Sequence, residues 1–364
     1  MILEISMWER TQFQLDKKKV RIGDFMNDIV ERVQGFARKH FEKAKYSHDW
    51  EHTERVYRLC MHIGAAEGAD LDALEATGRY KVAWIKGFDF EHIDLNVAHP
   101  PLDDPKVRQA LALAIDRDSI NKSIFNNKKA ITDLPLPKGL SWAYPADSEI
   151  SIYSYNLDKA KALLKEAGWD CSAKPCTKTG ADGKPMNLEF TFMTTDRESR
   201  IKAAQIIMAN WGKLNVGVNV QFLYGRGLFS VCSAGGPLYC RTYDAAMYTF
   251  STLDDATFYG QYACSAIPTK ENNWSGQNTP GWCNQKAVDA LNKSENDPEI
   301  ALSQEKRKPH LNAFFKEFTK DVPVIMLYGS SEPFPYVAGW KNFKPGPTSA
   351  SLVTWNSWEW EVYK

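Results

Sequence analysis

From about residue 90 onward, segments patterned as strands and segments patterned as helices follow one another in turn. That succession constrains the fold more than any other feature of the chain. His92 to Val97 alternates apolar and polar positions as a strand does. Pro100-Pro101 breaks it, and Asp103 and Asp104 stand as caps before a helix that has Pro105 in its first turn. Val107, Leu111, Ala114 and Ile115 form the apolar stripe of that helix. The stretch YNLDKAKALLKEAGWD is punctuated in the same way, with Asn156 as N-cap, Ala160, Leu163, Leu164 and Ala167 as the buried side, and Gly168 as the stop. Leu188 to Thr194 then reads as a strand, Arg200 to Trp211 as a helix, and Val216 to Leu223 as the next strand. The order predicts an α/β fold.

Residues 22 to 75 have a different texture. Ile29, Val33, Phe36, Ala37, His40 and Phe41 repeat at helical spacing, and so do His52, Val56, Leu59, Cys60 and Ile63. Of the chain's 7 histidines, His40, His48, His52 and His62 fall here. The change comes within LDALEATGRYKV, without a linker rich in proline or glycine. We therefore divide the chain into an all-α segment, residues 1–75, and an α/β part, residues 76–364.

Charge and hydropathy remove two classes of function. Lys+Arg number 45 against 45 Asp+Glu, so no basic excess is available to replace counterions on a phosphate backbone, and no nucleic-acid partner is expected. No apolar run approaches the roughly 20 residues of a membrane-spanning helix. The opening MILEISMWERTQFQLDKKKVR carries acidic residues and no small-residue cleavage site, so it does not read as a secretory signal.

The 7 cysteines are unevenly placed. Cys60 is isolated, whereas Cys171 and Cys176, Cys232 and Cys240, and Cys264 and Cys283 fall into close pairs around segments rich in Gly, Pro, Ser and Asn. Three disulfides are expected, and with them an oxidising compartment. Unrelated thiols are one alternative. Zinc is another, although there is no CxxC and no histidine at ligand spacing.

Two stretches carry family resemblances. SHDWEHTERVYRLCMHIGAAEGADLDAL, residues 47 to 74, resembles the opening of HD-domain metal-dependent phosphohydrolases through Asp49, His52, Arg55 and Val56. The resemblance implies that His52 is a first metal ligand. The chemistry also requires a His-Asp pair on the next helix and a distal Asp, and the chain continues ATGRYKVAWIKGFDF with no later His-Asp. His52 is thus a vestigial ligand, and an incomplete hydrolase is the alternative reading.

The longer resemblance spans residues 80 to 364. FEHIDLNVAHPPLDDPKVRQALALAIDRDSINKSIF, YDAAMYTFSTLDDATFYGQYACS, NNWSGQNTPGWCNQKAVDALNKS and DVPVIMLYGSSEP occur in the order found in solute-binding proteins of peptide-type ABC importers, family 5. This implies the C-terminal lobe of a type II periplasmic-binding-protein-like fold, an oligopeptide or related small solute, and delivery to an ABC permease. It also implies a periplasmic or extracellular lipoprotein lineage, with no cofactor and no enzymatic activity. By position in the family's motifs, Tyr248, Phe250, Ser251, Asp254, Trp274 and Trp282 are the candidate ligand contacts, their rings offering flat apolar area. Peptide binders place an aspartate a few residues after the strand aromatic. Ser251 occupies that position, followed by Asp254 and Asp255, so a neutral solute such as a sugar stays open.

Family members carry further sequence before this region, and the simplest account of the N-terminal segment is a truncated or chimeric chain. The chain alone is accordingly expected to bind weakly, and the returning strand Val322 to Leu327 to expose an apolar edge. No GxSxG, Walker lysine loop, GxGxxG or HExxH occurs. Asp103/Asp104 and Asp254/Asp255 read as caps and turns, and Gly225-Arg226-Gly227 is too short for a phosphate loop.

Overall fold

The computed structural model describes residues 71–180, 182–252, 254–346 and 356–362. The helical reading of residues 22 to 70, with His52 and the HD-like motif, lies outside the described residues. The chain separates into two units: residues 1–84, 333–345 and 353–364 form one, and residues 85–332 with 346–352 the other.

The described part of the smaller unit holds helix α1 (Leu71–Ala76), the beginning of strand β1 (Tyr80–Leu95) and an aromatic cluster. Trp340 and Trp360 approach to 5.2 Å between ring centroids, and Tyr336 and Phe343 to 4.7 Å.

The larger unit follows the strand–helix order. After β1 come α2 (Pro105–Ala114), α3 (Arg117–Phe125), the short strand β2 (Ala130–Ile131) and α4 (Leu157–Glu166). A hairpin, β3 (Thr177–Thr179) with β4 (Pro185–Asn187), leads to β5 (Glu189–Thr195), α5 (Glu198–Gly212) and β6 (Gly217–Leu223). Short helices α6 (Gly225–Phe229) and α7 (Pro237–Cys240) precede β7 (Ala245–Ser251) and α8 (Tyr259–Tyr262). Helices α9 (Gln285–Asn296) and α10 (Gln304–Asp321) lead into β8 (Val324–Val337). One six-stranded sheet results, in the order β2-β8-β1-β7-β5-β6. β7 runs antiparallel to β1 and parallel to β5, and β5 runs parallel to β6.

Local chemistry accounts for the helix ends. Asp104 caps α2 by accepting from the Lys106 N–H, and Asn156 caps α4 by accepting from Lys159 N–H. Gly168, just past α4, takes φ +86, a conformation that costs other residues a Cβ clash. The stripe Val107, Leu111, Ala114 and Ile115 is fully buried. It joins a core on one face of the sheet with Ile93, Phe190, Phe192 and Trp211. Trp211 sits edge-on to Phe190 and Phe192 and donates its indole N–H to the Leu111 carbonyl at 3.0 Å, so the one polar atom of a large buried ring is satisfied. The other face buries Phe90, Trp282 and the α10 residues Phe314, Phe315 and Phe318. Arg108, 3% exposed, donates to the carbonyls of Leu102, Asp103, Asp321 and Val322, and burial lowers its pKa to about 10.

Three disulfides close where the cysteine spacing placed them: Cys171–Cys176, Cys232–Cys240 and Cys264–Cys283. The returning strand corrects one expectation. Val322 takes φ +49 and ends α10, so the strand begins at Val324. It lies inside the sheet between β2 and β1, and Val324 to Tyr328 are all buried, so its apolar residues are not exposed. The end of β1 covers it, Leu95 N–H donating to the Pro323 carbonyl at 3.0 Å just before the strand, and β1 itself extends back to Tyr80, well beyond the short strand read from residue 92. Among the described residues no helix is long and apolar enough to cross a membrane.

Candidate functional site

The end of β7 and the strands beside it bring polar and aromatic groups together. Antiparallel pairing sets Asp89 opposite Ser251, Phe90 opposite Phe250, Glu91 opposite Thr249 and His92 opposite Tyr248. Strand alternation then sorts these pairs onto two faces. Phe90, His92, Asp94, Tyr248 and Phe250 share one face, while Asp89, Glu91, Thr249 and Ser251 share the other.

On the first face Asp94, 3% exposed, accepts from the hydroxyls of Tyr248 at 2.6 Å and of Thr279. His92 Nε2 lies 3.2 Å from the other Asp94 carboxylate oxygen. A buried carboxylate is tolerated only with such donors. The phenol of Tyr248 is held well above its ordinary pKa, first by burial and then by the Asp94 charge. Its ring meets His92 edge-on at 4.3 Å and Phe229 at 5.5 Å.

On the second face Arg200, from the first turns of α5, grips Glu91 with both arms, Nε to Oε1 at 2.7 Å and Nη2 to Oε2 at 3.1 Å. It also donates to the hydroxyls of Thr195 at 2.8 Å and Thr249 at 2.7 Å. Planar bidentate geometry of this kind fixes both partners. Arg200 and Thr195 place this cluster at the carboxyl ends of parallel strands, where open α/β sheets carry their ligands.

The candidate contacts read from sequence divide accordingly. Phe250 is half-buried and packs 6.2 Å from Phe90, leaving part of its ring open. Ser251 is exposed and donates to Asp89. Asp254, on the following loop, is exposed and has no partner among the described residues. Asp255 accepts from the buried Arg307 at 2.7 Å and serves as a structural anchor. Trp274 is half-buried at φ +58 in a turn whose backbone N–H groups at Thr269 and Ser275 donate to the Asn272 side chain. Trp282 is 4% exposed; its indole N–H reaches Asp321 at 2.9 Å and its ring packs on Phe314 and Phe318. The structure thus joins Tyr248, Phe250 and Ser251 on one strand end and seats Trp282 in the core. Glu91, Asp94 and Arg200 went unrecognised in the sequence because their pairing depends on cross-strand register. The local sequence does not single them out, since β1 also carries Lys81, Lys86, Asp89 and His92.

The sheet and its helices are those of the periplasmic-binding-protein fold. Oligopeptide-binding AppA of Bacillus subtilis, solved with a nonapeptide, superposes with a TM-score of 0.65 at 21% identity, covering 85% of this chain and 58% of that one. NikZ of Campylobacter jejuni, solved with Ni(L-His), gives 0.60 at 24% identity, covering 80% and 55%. The model of bacterial extracellular solute-binding proteins, family 5, matches residues 61–266, more than half the chain, and the protein belongs to that family. The dipeptide-binding protein of Escherichia coli K12 is 28% identical over 160 residues, 43% of this chain and 27% of its own length. Di/tripeptide-binding protein 2 of Pseudomonas aeruginosa UCBPP-PA14 is 25% identical over 266 residues, 70% of this chain and 45% of its own. The chain spans less than half the length of these curated relatives.

Proposed function

We propose that this chain is the solute-binding component of a peptide-type ABC importer, that its solute is an oligopeptide or a related small solute, and that the complex is delivered to an ABC permease outside the cytoplasmic membrane. The observation that carries the reading is the end of β7, which presents the part-open ring of Phe250 on one face of the sheet and the exposed Thr249 and Ser251 on the other, in a family whose relatives are named for dipeptides and tripeptides. A strand end that offers a flat apolar ring to one side and hydroxyls to the other has groups suited to a peptide side chain and main chain. On this reading Asp254, exposed and unpaired among the described residues, is the available counter-charge for a ligand ammonium.

Residues 1–75 are, on the same reading, a non-catalytic segment in which His52 lacks the remaining ligands of a hydrolase centre. Isothermal titration with di- to nonapeptides and with oligosaccharides tests the assignment, alongside metal analysis of the protein. The expected result is peptide binding weaker than about 1 µM, weakened a further tenfold or so by Phe250→Ala. Heat from oligosaccharides alone, or a stoichiometric metal lost in His52→Ala, overturns it.

A further inference from the structure

β6 ends one side of the six-stranded sheet, and among the described residues no strand pairs with its outer edge. The direction of its backbone groups is fixed at both ends. Gly217 N–H donates inward to the Leu188 carbonyl at 2.9 Å, and the Leu223 carbonyl accepts from Asp196 N–H at 3.0 Å. Backbone groups point to alternate sides along a strand, so Gly217, Asn219, Gln221 and Leu223 bond toward β5. Val218, Val220 and Phe222 turn their N–H and C=O groups outward.

The same three residues share a side-chain face, in register with Phe190, Phe192 and Thr194 of β5. Val218 and Val220 are only partly buried against the core on that side, and Phe222 is 41% exposed. The strand reads GVNVQFL, with neither a charge nor a proline, and charges and prolines are the devices by which exposed edges are kept from pairing. The opposite side of the sheet does use such a device, since β2 is only two residues long.

A second copy of this strand is a fitting occupant. Antiparallel pairing about a two-fold axis at Val220 sets Val220 against Val220, Val218 against Phe222 and Asn219 against Gln221. In that register every outward N–H and C=O of Val218, Val220 and Phe222 meets its complement. The apolar face runs on from one sheet into the next, the amide side chains face one another on the other side, and no like charges meet. A shift of one residue sets each outward-turned residue opposite an inward-turned one and loses these bonds.

We propose that β6 is a self-association edge through which two copies of the chain join their sheets into one. The proposal stands independently of the solute reading. Light scattering on the full chain from about 1 to 200 µM tests it, together with hydrogen exchange at both ends of that range. The expected result is a mass rising toward twice that of the monomer, with the amides of Val218, Val220 and Phe222 slowing as it rises. Val220→Lys places two ammonium groups on the axis and weakens association at least tenfold. Phe222→Lys, at a more exposed position, repeats the test should the first variant fold poorly, and Leu302→Lys, on a residue 96% exposed, leaves association unchanged. A monomer throughout with freely exchanging β6 amides overturns the proposal. So does association that neither lysine variant weakens. Slow β6 exchange in a monomer shows instead that another segment of the chain covers the edge, and association only on adding peptide shows that an extended peptide is the occupant; either result also overturns it.

Discussion

Glu91 and Asp94 stand three residues apart on β1 and face opposite sides of the sheet, and the protein accommodates the two anions by different means. Asp94 is sealed: two hydroxyls and an imidazole surround it, and they come from β7, from the loop carrying Thr279 and from β1 itself. Glu91 meets a full positive charge in Arg200, and the pair opens onto the exposed Thr249. Two hydroxyls and a ring nitrogen hold a buried anion only while all of them are present. A guanidinium matches the charge itself, and the pair then needs no closed shell of further donors. One face is therefore closed by its own donors as far as the part-open Phe250, and the other keeps a charged pair beside exposed hydroxyls. Tyr248, a candidate ligand contact by sequence, belongs to the sealed face, since its hydroxyl is committed to Asp94.

The largest expected effect breaks the sealed side. Asp94→Ala leaves the Tyr248 and Thr279 hydroxyls and the His92 ring without their acceptor in a closed space, and should cost about 3–5 kcal/mol. A urea midpoint measured with an unchanged slope reads this directly. Asp94→Asn keeps the shape and one acceptor oxygen and should lose clearly less. A cost for Asp94→Ala below about 1 kcal/mol, the size of an ordinary surface change, would mean that Asp94 is not sealed as described.

Arg200→Ala is the matching test on the charged side. It strands Glu91, whose side chain is only 8% exposed, but leaves it the Thr249 hydroxyl, so the cost should be about 3 kcal/mol. Adding Glu91→Gln removes the stranded charge and should recover part of that loss. The double-mutant cycle then shows coupling well beyond the roughly 0.5 kcal/mol expected of independent sites. Additive values would reduce Glu91 and Arg200 to neighbours without a bond.

How much of this was legible in the sequence follows from the range of the interactions. Caps and stops act within four residues, so Asp104, Asn156 and Gly168 announce their helices directly, and β5, α5 and β6 appear within two residues of where their patterns put them. The cysteine pairs are similarly local. The length of β1 is set by its partners β7 and β8, from distant parts of the chain, which is why only its last few residues alternate legibly. The candidate site has the same limit. Family position led to Phe250 and Ser251, but whether an aromatic faces a core or a surface depends on register. Trp282 and Tyr248 look like Phe250 in sequence and differ only in what the fold packs against them.

The smallest effect sharpens the comparison through pH. Tyr248→Phe keeps the ring between His92 and Phe229 and removes one of the donors to Asp94, so about 1 kcal/mol should be lost near neutrality. The folded-state pKa of this phenol lies above the unfolded one, raised first by burial and then by Asp94. Its contribution is therefore complete below about pH 10, the unfolded value, and disappears as pH rises toward the folded value. The native protein should lose stability steeply above about pH 10, and Tyr248→Phe more gently, because one group no longer titrates. Tyr243, buried beside the same carboxylate and shifted in the same direction, keeps the flattening partial. Identical alkaline slopes for the two proteins would remove Tyr248 from the sealed side.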